Sequence, residues 1–146
     1  MTDSTLPTHS RAGTASSRPV TAVTAIVVTQ GVTRYLATTL TALAAQTRAP
    51  GQVLVVDVSA EHDAGVPQAA GEAFAPPAPE SPTSAGRGVQ PPEVLSVHAP
   101  GARAFGDAVQ RALAGLSPHG ETAAPAGQAW LWLLHDDSAP EPSALA

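Results

Sequence analysis

Cysteine is absent from this chain, and its absence removes three chemistries at once: a disulfide framework, a thiolate zinc site and a cysteine nucleophile. Lysine and asparagine are absent too, so all seven basic residues are arginine, a bias of coding composition rather than of chemistry. The arginines form no cluster and the net charge is -5. The concentrated positive surface that non-specific nucleic-acid or anionic-membrane binding requires is therefore missing, and a phosphate-bearing partner would be held through a metal ion or backbone amides. Residues 1–19 contain no apolar signal core, and no uninterrupted apolar run approaches the roughly 18 residues that span a bilayer. With the missing cysteines, this predicts a cytoplasmic protein.

Aromatic residues make up 3% of the chain and charged residues 13%, whereas 15 prolines and 12 glycines dilute its 43% of apolar residues. The composition predicts one packed domain interrupted by disordered segments. The Thr/Ser/Arg-rich residues 1–19 read as a disordered leader, and residues 60–92, rich in Pro, Ala and Gly and without periodicity, as a long flexible insertion.

Between these segments the pattern alternates. Thr21 to Thr29 is almost continuously apolar and rich in β-branched residues, as a parallel strand buried on both faces would be. Leu36, Leu40 and Leu43 then share one helical face, with Thr33 available as N-cap, until Arg48, Pro50 and Gly51 stop the helix. Gln52 to Val58 is a second strand, completing a βαβ unit. Glu93 to His98 is a third, and Phe105, Val109, Leu113 and Leu116 mark the stripe of a helix over Arg103 to Leu116, closed by Pro118-His119-Gly120. The apolar run Ala129 to Leu134 is the last strand, and it reads as buried. The expected fold class is α/β with a mostly parallel sheet.

That last strand delivers His135, Asp136 and Asp137 into a Pro-rich turn. Ligands of parallel sheets bind beyond the carboxyl ends of the strands, where two carboxylates can hold a hard divalent cation against a phosphate. Aspartates also end strands simply because they form turns readily. Trp130 and Trp132, two apart on one face, read as core residues, with sugar stacking as the alternative. His9, His62, His98 and His119 show no ligand spacing and read as solvated.

The first strand, the pattern Tyr35-Leu36-x3-Leu40-x2-Leu43-x2-Gln46-Thr47, the strand Val53 to Asp57 and the carboxylates before Pro140 together resemble family 2 glycosyltransferases, most closely actinobacterial members. The resemblance covers about residues 20–146. It implies a partial GT-A, Rossmann-like nucleotide-sugar-binding domain and an inverting transfer of sugar to an acceptor hydroxyl. It implies that Asp57 contacts the nucleotide base, although the usual Val-Asp-Asp-Gly-Ser is here Val56-Asp57-Val58-Ser59-Ala60, and Asp57 as a plain strand terminator is the other reading. The segment Gly101 to Leu113 is similar to the family helix often written Gly-Phe-x-x-Ala-Val-Asn, with Gln110 in place of Asn, and it puts Gly106 close to the nucleotide.

By the same resemblance Thr29 and Gly31, at the exit of the first strand, and Asp136 contact nucleotide, and Asp137, with Asp136, holds Mg2+ or Mn2+. Histidine replaces the first Asp of the family's Asp-x-Asp motif at His135, where it is either a hydrogen-bonded structural group or a further ligand of Mn2+. The implied donor is a UDP-, GDP- or dTDP-linked sugar and the acceptor a saccharide or lipid-linked saccharide, with no nucleic acid, and with a membrane engaged only through segments downstream. The family's catalytic base lies well beyond the metal motif, and this sequence ends nine residues after Asp137. The expectation is therefore the nucleotide half of a larger transferase, with an exposed final-strand edge, the alternative being a natural short relic. A non-catalytic nucleotide-binding or scaffold module is the competing function. A receiver-type phosphoacceptor domain fits less well, because its acidic pair would follow the first strand, which here ends Thr29-Gln30-Gly31.

Overall fold

The computed structural model describes residues 22–75, 91–115 and 129–145. The leader 1–19, residues 76–90 of the expected insertion, Leu116, the closure at Pro118-His119-Gly120, His9 and His119 lie outside the described residues. Within them the chain runs β1 (Ala22–Thr29), α1 (Leu36–Ala44), β2 (Gln52–Asp57), α2 (Gly65–Ala73), β3 (Glu93–His98), α3 (Phe105–Gly115) and β4 (Ala129–His135). The four strands form one sheet in the order β3-β2-β1-β4, and every neighbouring pair is parallel.

Strand alternation divides the core in two. Ala25, Val27, Val53 and Val55 point to one face and meet Leu36, Leu40 and Leu43 of α1 and Val66 and Ala70 of α2. Ile26, Val28, Leu54 and Val56 point to the other and meet Ala108, Val109 and Ala112 of α3. The near-continuous apolar runs of β1 and β2 follow from this double coverage. Crossovers of one handedness that step outward from β1 to β3, and then back past β1 to β4, must leave their helices on opposite faces. That is the observed arrangement.

Two expectations are corrected. The stretch 60–92 is not wholly loop, because α2 occupies Gly65–Ala73. Its buried face consists of Val66 and Ala70, with Ala69, Ala73 and Phe74 packed alongside, and so mostly of alanine. Small residues meeting an already formed surface leave little apolar periodicity to read. The second correction is the burial of β4, which lies at the sheet edge as expected of the final strand but is not a buried strand: Trp130 is 57% exposed, Leu131 50% and Leu133 46%. Only Leu134 is buried, with Trp132 packed beside the core, so one tryptophan is a core neighbour and the other is not. Helix α3 packs over β1 and β2 and, among the described residues, reaches β4 through the contact of Phe105 with His135. After β4 the chain returns along α1, where the Thr47 N–H donates to the Pro142 carbonyl at 2.7 Å and Gln46 Nε2 to the Glu141 carbonyl at 2.7 Å.

Candidate functional site

The strand order reverses at β1, with β2 on one side of it and β4 on the other. A crevice is expected at such a reversal of strand order. A cleft of about 500 Å³ opens there, walled by the ends of β1 and β4, the loop into α1 and the start of α3. Thr29, Thr33, Arg34, Phe105, Asp136 and Asp137 are among its lining residues.

Asp136 is the most firmly placed of these. Its N–H donates to the Val28 carbonyl at 3.1 Å, carrying the β1–β4 pairing one residue past the strand. Its carbonyl accepts from Thr39 Oγ1 of α1 at 2.6 Å. Its Oδ2 accepts from Thr33 Oγ1 at 2.5 Å, and Thr29 Oγ1, which donates to the Gly31 carbonyl at 2.7 Å, lies 3.3 Å from the same oxygen. Thr33 Oγ1 also accepts from the N–H groups of Leu36 at 3.2 Å and Tyr35 at 3.3 Å, so it caps the entry to α1 although the regular helix begins two residues later than its N-cap position implies. One hydroxyl thus ties the helix start to the carboxylate. Asp137 follows in the turn and is exposed. His135 sets its ring against Phe105, with centroids 4.4 Å apart, and contributes to the cleft wall.

Three of the expected nucleotide contacts do not line this cleft. Asp57 is 2% exposed and is taken up by the protein itself. Its Oδ1 accepts from the Gly31 N–H at 2.9 Å, the Ser59 N–H at 2.9 Å and Ser59 Oγ at 2.6 Å, and its Oδ2 from the Asp63 N–H at 3.3 Å. Burial pushes its pKa up, but the Ser59, Gly31 and Asp63 donors outweigh it and hold the carboxyl below its ordinary value of 3.8. Gly31, at φ +72°, is the partner that lets the β1 exit loop turn onto that carboxylate, and a Cβ there would lie 3.1 Å from Asp63 Oδ2. Asp57 therefore binds the loops after β1 and β2 together. Asp63 completes the knot, with Oδ2 accepting from the Val32 N–H at 3.0 Å and Oδ1 capping α2 through the Gly65 N–H at 2.9 Å.

Gly106, in the first turn of α3, is exposed, lies outside the cleft lining and has open space where a Cβ would sit. Gly106→Ala is expected to raise stability by about 0.5–1 kcal/mol, the ordinary helical preference, and to leave ligand affinity unchanged; paired thermal melts and titrations check both. Of the histidines read as solvated, His62 is exposed, whereas His98 is half-buried, with Nε2 3.0 Å from the Ser59 carbonyl and its ring 5.2 Å from that of His62.

Among the described residues no group of three or more histidines and carboxylates is placed to hold a metal ion. Asp136 and Asp137 fit an ion that takes one or two protein carboxylates and completes its shell with phosphate oxygens and water, as Mg2+ does. Sequence reasoning missed Arg34 and Arg103, which reach the cleft from the β1–α1 and β3–α3 loops. They are 69 positions apart in the chain (103 minus 34), and only the strand order makes them neighbours of one crevice. The Arg34 guanidinium lies 4.5 Å from the Tyr35 ring centroid and donates to the Tyr35 hydroxyl. The Arg103 N–H donates to Asp107 Oδ2 at 3.2 Å, while the Asp107 carboxylate pairs with Arg111 at 3.1 Å. The Arg103 guanidinium donates no hydrogen bond among the described residues, although its charge, after the stronger effect of Arg111, helps hold the Asp107 carboxyl below its ordinary value.

No protein-family model, curated protein or solved structure significantly matches the chain.

Proposed function

We propose that this chain is the nucleotide-binding half of a metal-dependent, inverting glycosyltransferase of the GT-A kind, and that the cleft between β1 and β4 receives the diphosphate of a nucleotide-activated sugar. The observation that carries the reading is Asp136, anchored by Val28, Thr39 and Thr33 at the carboxyl end of β4 with Asp137 beside it, at the point where the strand order reverses. A divalent ion there supplies neutralisation of the departing diphosphate. Asp137 is the carboxylate exposed to meet it, and Asp136, whose Oδ2 is already hydrogen-bonded, orients toward the ion's shell or a ribose hydroxyl. Thr29 lines the cleft beside them, as do Tyr35 and Phe105, whose rings supply aromatic surface for a base. The GT-A assignment rests on the sequence resemblance, and a cytoplasmic setting follows from the availability of nucleotide-sugars there; no helix among the described residues is long and apolar enough to cross a membrane.

A non-catalytic nucleotide-binding module is the second reading. It is favoured by the saturation of Asp57, which withdraws the expected base contact. Calorimetric titration of UDP and GDP, each with and without Mn2+, tests the shared part of both readings. Manganese-enhanced binding of either nucleotide supports them, and the absence of binding to a folded sample removes both.

A further inference from the structure

The cleft holds more charge than its two aspartates. Arg34 and Arg103 line it from separate loops, in a chain whose net charge is -5. Neither guanidinium forms a salt bridge among the described residues: Arg34 donates to the neighbouring Tyr35 hydroxyl, and the Arg103 charge acts on the Asp107 carboxylate only from a distance, that carboxylate being bonded to Arg111. Arginine is the side chain best suited to phosphate, because its planar fork donates two parallel hydrogen bonds and keeps its charge at any ordinary pH. A cleft with carboxylates at one strand end and guanidinium groups outside any salt bridge on the flanking loops suits an anion that also carries a cation. The carboxyl group at the end of β2, by contrast, accepts four protein donors and has no place in the cleft wall.

From these placements we infer that the site recognises its ligand through the diphosphate, gripped directly by Arg34 and Arg103, rather than through the base by Asp57. This deepens the nucleotide reading and rests on it. The two arginines supply binding that does not need a metal, and the metal held by Asp137 and Asp136 adds to it. Binding without metal is accordingly sensitive to ionic strength, because the cleft is open and its charges are screened by salt. The base contributes stacking area but little selection, so nucleoside diphosphates of different bases bind alike.

The test is calorimetry on the full chain in EDTA, at low and at moderate salt, with inorganic pyrophosphate, UDP, GDP and uridine as ligands. The variants are Arg34→Gln with Arg103→Gln, and separately Asp137→Ala. Pyrophosphate, UDP and GDP are expected to bind within a few-fold of one another and uridine much more weakly. The double arginine variant should lose about tenfold or more in affinity for pyrophosphate, as expected for charged hydrogen bonds, while Asp137→Ala retains metal-free binding. Both arginines are exposed, and an unchanged melting temperature verifies that the variant is folded. Binding that appears only with Mn2+ and is unaffected by the arginine changes overturns the inference but leaves the nucleotide site intact. Uridine binding as well as UDP also overturns it. No binding of any of these ligands, with or without Mn2+, overturns both.

Discussion

Asp57→Ala is expected to lower the unfolding free energy by about 3 kcal/mol, the cost of leaving several charge-assisted donors without their acceptor. The wild-type carboxylate joins Gly31, Ser59 and Asp63, and hence the exits of β1 and β2 and the approach to α2. Native stabilities are about 5–15 kcal/mol, so the loss is a large share of the total. Denaturant unfolding at neutral pH measures it, and Asp57→Asn, which keeps one acceptor oxygen, should fall between the two.

The same group sets an acid limit. Its folded pKa lies below the ordinary 3.8, so its stabilisation is fully present above that value and disappears as the pH falls through the depressed folded one. The wild type should therefore lose stability relative to Asp57→Ala on acidification below about pH 4. Curves that stay parallel from pH 6 to pH 2.5 would contradict the assignment. If Asp57 instead waited for a nucleotide base, its removal would weaken ligand binding and leave stability nearly untouched.

Asp137→Ala should abolish the gain in nucleotide affinity that Mn2+ provides, with little change in melting temperature. Groups that merely orient metal ligands cost about 10–100-fold in affinity when lost, so a direct ligand should cost at least the upper end of that range. Asp137 is exposed, and its side chain makes no hydrogen bond among the described residues. Asp136→Ala should behave differently. It cuts the link to Thr33 and disturbs the entry to α1, so it costs stability as well as binding. A comparison of the two variants therefore separates ligand-holding from scaffolding.

Much of the fold was legible in the sequence. The strands on both sides of Leu36, Leu40 and Leu43 announce themselves because β1 and β2 are covered on two faces and must be apolar throughout. The same logic misjudged β4. An apolar run such as Ala129 to Leu134 reads as buried whether or not anything covers it; its edge position was expected, its exposure was not. Helix α2 was hidden for the opposite reason, since its alanines bury little surface apiece.

The candidate site divides along similar lines. Asp136 and Asp137 were legible because strand ends are where parallel sheets place their ligands. The enclosure of Asp57 was not, because it depends on backbone amides of Gly31 and Asp63, which no side-chain pattern reports. Arg34 and Arg103 were passed over because scattered arginines look like solvated surface until the chain is folded.

The crevice between the ends of β1 and β4 is the proposed ligand site, and one experiment locates it directly. Mn2+ is paramagnetic, and a trace of it added with UDP or GDP to the isotope-labelled chain broadens the amide resonances nearest the bound ion. Selective broadening is expected at Thr33, Arg34, Phe105, Asp136 and Asp137, with β3 and α2 unaffected, and its loss in Asp137→Ala. Broadening centred on Glu61, His62 and Asp63, or spread evenly over the acidic surface, would contradict it.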